Sequence, residues 1–176
     1  LMKVILKGIL SNVDKDVLDE KIIEFKKEMK NMSIYDVALP TGVSKLSKFI
    51  DKRHSNKKIY GDGTIFTDIH KGAPVHVKSA INYNSLLDYW YEGRKYEKIT
   101  NGSKIKWVYL KDNEFGFDTI AYKGYEDPRE ILNLIKNNID SNKMFEQALK
   151  KKIGMFYESM GWEAVVDKQQ SIERFF

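Results

Sequence analysis

An α+β fold, mostly helical with a small antiparallel sheet, is what the sequence predicts. Three observations carry it. Several long stretches space their apolar residues three and four apart, the signature of helices with one buried stripe. KIKWVYLK and DTIAYK, separated by the loop DNEFGF, read as two strands of a hairpin. The chain of 176 residues is 42% hydrophobic and 12% aromatic, ordinary values for a folded globular protein.

In LMKVILKGIL, residues Leu1, Val4, Ile5 and Ile9 recur at helical spacing, and Asn12 to Asp14 interrupts them. A second helix is expected from about Asp14 to Met32, with Val17, Leu18, Ile22, Phe25 and Met29 on one stripe, so residues 1–32 form a helical hairpin. SIYDVAL suits a short strand, after which Pro40 and Gly42 force a turn. A short helix is expected near Lys45 to Ile50, followed by a loop rich in Lys, Asn, Gly and Asp. Pro74 starts a helix continuing through VHVKSAINYNSLLDYWY, because its missing N–H costs nothing in the first turn. Ile105, Trp107 and Tyr109 share one face of the first hairpin strand. Asp127 and Pro128 read as N-cap and first position of a helix to about Asn138, and Asp140 caps a last helix to about Met160. No internal repeat is visible.

Charge and composition narrow the function. Thirty Lys and Arg against 25 Asp and Glu leave a net charge of +5, which permits a polyanionic partner without demanding one. The chain has no cysteine, so disulfides, thiolate metal sites and cysteine nucleophiles are excluded, and a reducing intracellular setting fits best. No apolar run approaches the roughly 20 residues that span a bilayer, and no signal peptide is visible, so no membrane partner is expected. The opening Leu1 and Met2 suit a fragment, an unusual start codon or an expression scar.

The chain ends in QQSIERFF. Gln169, Ile172, Phe175 and Phe176 stand at i, i+3, i+6 and i+7, so one tight helical turn gathers Ile172 and both rings into a single plug beside a hydrogen-bonding glutamine. An apolar end of this kind is buried either by its own domain or by another protein's pocket. The octet resembles the box by which replication and repair proteins bind sliding clamps, with all four defining positions filled.

IYGDGTIFTDIH resembles the acidic element of family B polymerases, but two-metal chemistry needs carboxylates that share ions about 4 Å apart. Asp62 is followed by Gly63 and Thr64, and Asp68 does not restore the spacing, so a turn is the better reading and a metal-dependent nuclease a poor one. His54, His70 and His76 are scattered without metal-ligand or acid–base spacing. No G-x-S-x-G elbow or phosphate-binding G-x-x-x-x-G-K-[ST] loop is present.

With the box in place, the order of segments resembles the thumb domain of family B DNA polymerases of the T-even phage type, over nearly the whole chain. EFKKEMKNMSIYDVA resembles the crossing from palm to thumb, and VSKLSKF the short segment after it. KGAPVHVKSAINYN is the most specific match, to a K-G-x-P-x-H stretch ending in Tyr-Asn. NGSKIKWVYLK and DNEFGFDTIAY resemble the thumb's sheet, and DSNKMFEQALKKKI its last long helix. Exonuclease, fingers and palm, with both catalytic aspartate motifs, are absent from these 176 residues.

The resemblance implies a joining hairpin over 1–32, a thumb over 33–165 and a clamp-binding tail over 166–176. It implies that the chain holds primer–template double-stranded DNA, binds a sliding clamp through Gln169, Ile172, Phe175 and Phe176, and works with the palm, fingers and exonuclease part. No catalytic residue, metal or cofactor is expected in the chain itself; Mg2+ belongs to the palm of the complete polymerase. Cytoplasmic localisation follows, in the infected bacterial host if the chain is phage-encoded. An alternative is a stand-alone, clamp-recruited DNA-binding accessory protein of replication. A thumb holds duplex regardless of sequence, by phosphate and minor-groove contacts. Lys71, His76 and Lys78 surround a helix start that favours a phosphate. Ser44, Lys45 and Lys48 precede them, Tyr83 and Asn84 lie further along the helix, and Lys104 and Lys106 share one strand face.

Overall fold

The computed structural model describes residues 2–50, 58–59, 65–66, 69–91 and 94–163, and these fall into two compact units: 2–33 with 141–163, and 34–140. The architecture is α+β, with helices dominating a small antiparallel sheet.

The first unit begins with α1 (Met2–Leu10) and α2 (Lys15–Met29), joined through a tight turn in which Val13 N donates to Gly8 O at 3.0 Å. Gly8 permits their close approach, since a Cβ there would lie 2.6 Å from Leu18 Cδ2. Leu18, Ile22 and Met29 are buried as the spacing predicts, but Val17 is 42% exposed and Asp19 is buried instead. Asp19 pairs with Lys15 one turn earlier, and the Lys15 ammonium also lies over the Tyr157 ring. A paired carboxylate is invisible to a hydrophobic count, which is why the expected stripe is rotated. The last expected helix is α6 (Ser141–Phe145) and α7 (Lys151–Ser159), continuous through a π-helical segment over Glu146–Lys150. α6 packs on α2, and Trp162 meets the buried Tyr157 ring edge-on at 5.5 Å. The helical hairpin therefore belongs to one unit with the last helices.

The second unit is built on a three-stranded sheet of order β1-β4-β5, with β1 (Leu39–Gly42), β4 (Lys104–Tyr109) and β5 (Thr119–Tyr122) all antiparallel to their neighbours. A separate pair, β2 (Lys58–Ile59) and β3 (Ile65–Phe66), is also antiparallel. The expected hairpin across DNEFGF is present, tied by Asn113, whose Oδ1 accepts from Phe115 N and whose Nδ2 donates to Phe117 O.

Three expectations need correction here. Ile34–Val37 is a helical turn, α3, because Tyr122 Oη donates to Ile34 O and the Tyr35 ring packs edge-on against Tyr122; this tertiary contact overrides strand propensity. Pro40 and Gly42 lie inside β1. That strand is at the sheet's edge, and Pro40 sits opposite Lys106 at a position that needs no N–H for the ladder, as the Val43 N to Ser103 O bond at 3.0 Å sets the alternation. Asp127 does not cap α5 (Arg129–Asn138); Pro128 occupies the N-cap, and the Asp127 carboxylate instead accepts from Lys123 N and Gly124 N.

α4 (Val75–Tyr91) packs along β5 and β4 and is buried on more than one side. Its buried serine and asparagine side chains are satisfied internally: Asn82 Nδ2 donates to Thr119 O at 2.7 Å, Ser79 and Thr119 hydroxyls meet at 2.5 Å, and Ser85 donates to Ile81 O. α5 covers β5 through Ile131, Leu134 and Ile135, the i, i+3, i+4 face of an amphipathic helix.

Candidate nucleic-acid interface

Strand register gathers several loops at one end of the sheet. β1 ends at Gly42 opposite Lys104, the first residue of β4, and β5 ends at Tyr122 opposite Lys106. The segment leaving β1, the loop entering β4 and the turn leaving β5 therefore lie together.

The segment leaving β1 is fixed by the backbone. Val43 N donates to Ser103 O, Gly102 N donates to Val43 O at 2.8 Å, and Leu46 N donates to the Asn101 side chain at 3.0 Å. Gly102 has φ +92°, a conformation that favours glycine. Lys45 has φ +58°, uncommon for a lysine, and a single 3₁₀ turn over Leu46–Lys48 replaces the expected longer helix. Strain of this kind persists only where surroundings enforce it, and here it turns Lys45 outward at the turn's start.

Ser44, Lys45, Lys48, Lys71 and Lys104 are exposed. Among the described residues, Lys45, Lys48, Lys71 and Lys104 have no carboxylate partner. Their segments adjoin. Lys104 stands opposite Gly42, Lys45 and Lys48 flank the 3₁₀ turn, and Phe49 O accepts from His70 N at 2.9 Å, which brings Lys71 to the same seam.

The remaining sequence-derived residues fall elsewhere. Lys78 is paired with Asp118 at 3.1 Å, just before β5 begins, so it and the half-buried His76 lie at the sheet's opposite end from Lys104. β4 has six residues, which separates the two ends by about 17 Å. Tyr83 is a core residue, fully buried, its phenol pushed up by burial and then by the Asp127 carboxylate, so it presents nothing to a duplex. Lys106 donates to Tyr35 O at 3.1 Å and lies over the Tyr35 ring, so its ammonium is engaged within the unit. Asn84 donates to Ile99 O and accepts from Ile99 N, both at 2.8 Å, which spends its amide on holding the connection into β4. Asp62, Asp68 and His54, and the box residues Gln169, Ile172, Phe175 and Phe176, lie outside the described residues.

Asn84 and Asn101 are the residues whose positioning role sequence reasoning missed. An asparagine in a helix interior is a signal, because its side chain competes for backbone groups. Asn84→Ala is expected to lower stability by about 1–3 kcal/mol, since Ile99 N and O lose their partner, while the salt dependence of duplex binding stays unchanged. Thermal unfolding and a salt titration of the same variant separate a structural amide from a DNA contact.

Between the 3₁₀ turn, α4 and the 98–101 segment lies an open cleft of about 370 Å³, bordered by Leu46, Ile50, Ile81 and the Asp88–Lys98 ion pair at 2.6 Å. The arrangement can present ammonium groups to an extended polyanion from a hydrogen-bonded backbone; among the described residues no group of three or more His, Asp or Glu is placed to hold a metal ion. No helix in the described residues is long and apolar enough to cross a membrane. No protein-family model matches the chain, and no curated protein matches it.

Proposed function

We propose that the chain is the C-terminal thumb portion of a replicative DNA-directed DNA polymerase, holding primer–template duplex by phosphate and minor-groove contacts and tethered to a sliding clamp by its terminal box. The observation that carries the reading is the order of segments, from EFKKEMKNMSIYDVA through KGAPVHVKSAINYN to QQSIERFF. The exposed lysines support the DNA-binding half: Lys104, Lys45, Lys48 and Lys71 have no carboxylate partner among the described residues and stand on a backbone fixed by hydrogen bonds, as sequence-independent phosphate binding requires. Nucleotide transfer and its Mg2+ ions belong to the palm of the complete polymerase, and if phage-encoded the protein works in the cytoplasm of the infected bacterium.

The test is complementation. Adding this chain to a polypeptide that carries the exonuclease, fingers and palm of such a polymerase should restore primer extension. Duplex binding without any restored extension would instead favour a stand-alone accessory protein recruited by the clamp.

A further inference from the structure

The turn leaving β5 carries a feature that duplex binding does not use. Lys123 is only 9% exposed, and its Nζ is buried with no hydrogen-bond partner among the described residues. That ammonium lies 5.1 Å from the centroid of the Tyr125 ring. Tyr125 is 61% exposed, more than any other aromatic side chain among the described residues. A desolvated cation beneath one ring face is a cation–π contact, which holds the ring and leaves its other face to solvent.

The turn is built to keep this display. The Asp127 carboxylate accepts from Lys123 N at 2.8 Å and from Gly124 N at 2.7 Å. Gly124 takes φ +92° and Glu126 takes φ +50°, the latter a conformation that costs free energy outside glycine. By strand register the turn lies at the same sheet end as Lys104 and Lys45. Glu126 is exposed beside the ring and disfavours a phosphate there, so the backbone of a bound strand passes on the lysine side while the ring meets a base.

We infer that Tyr125, held from behind by Lys123, is a stacking platform for an unpaired nucleobase, so that this sheet end takes single-stranded DNA beside duplex. The inference rests on the reading of the exposed lysines as a nucleic-acid surface. Lys123 is a positioning residue and Tyr125 the contact.

The experiment is anisotropy of a labelled oligo(dT) and, separately, of a blunt duplex, with the intact chain, Tyr125→Ala, Tyr125→Leu, Tyr125→Phe and Lys123→Met. Oligo(dT) binding should weaken by roughly 5- to 150-fold in Tyr125→Ala and Tyr125→Leu, stay within about two-fold in Tyr125→Phe, and weaken in Lys123→Met. Duplex binding should be unchanged in all the Tyr125 variants. Thermal unfolding of the Tyr125 variants reads the loss of the Lys123 contact separately from binding, and Tyr125→Phe, which keeps the ring, should match the intact chain. Equal oligo(dT) binding in Tyr125→Leu and the intact chain overturns the inference, as does duplex binding by the intact chain without oligo(dT) binding. If neither DNA binds, the exposed lysines have no nucleic-acid role and both readings fall.

Discussion

Tyr122→Ala is expected to lower the stability of the 34–140 unit by about 3–5 kcal/mol, the cost of emptying a fully buried aromatic site. The ring is completely buried, meets Tyr35 edge-on at a centroid distance of 5.9 Å, and faces Lys106 across the strands. Its hydroxyl donates to Ile34 O at 2.9 Å, so Tyr122→Phe should cost only about 1 kcal/mol. Burial, followed by the neighbouring Tyr35, pushes the phenol well above its ordinary value, which keeps it a neutral donor at physiological pH. Urea unfolding of the two variants measures the ratio. Equal costs would assign the stabilisation to the hydroxyl rather than to the ring. The effect reaches the turn that carries Tyr125, since Tyr122 is the last residue of β5 and directly precedes Lys123.

Phe175→Ala combined with Phe176→Ala should abolish the clamp's strengthening of duplex binding while leaving binding without the clamp unchanged. Linking a weak DNA holder to a ring on the same duplex converts the second contact into an intramolecular one, and the gain is about 100-fold or more where the geometry permits. Anisotropy on a primer–template, with and without a phage-type clamp, reads it. A loss of thermal stability in the double variant without any clamp would assign the two rings to the chain's own core.

Much of the fold was legible because periodicity carries it. The helices at Lys15–Met29 and Val75–Tyr91 and the hairpin across DNEFGF all follow from spacing alone. What spacing does not contain is long-range pairing. Pro40 reads as a turn until Lys106 is known to lie opposite it, and SIYDVAL reads as a strand until Tyr122 supplies the bond to Ile34 O. The interface divides in the same way. Lys45, Lys48 and Lys104 were legible as cations, and the register explains why the segment leaving β1 adjoins Lys104. Lys106 and Asn84 look the same in sequence, yet their polar groups are spent on Tyr35 and Ile99. Lys123 and Tyr125 gave no sequence signal, because a cation held under a ring depends on a turn closed by Asp127.

If the exposed lysines hold phosphates, duplex binding depends on counterion release. Binding of the intact chain and of the Lys45→Ala/Lys48→Ala/Lys104→Ala variant to one primer–template duplex is measured across a salt series. The intact chain should weaken steeply, and the variant's log–log slope should be shallower by about 0.9 for each lysine that touches a phosphate. Identical slopes for the two proteins, or no duplex binding by the intact chain at low salt, would mean that these lysines do not hold phosphates.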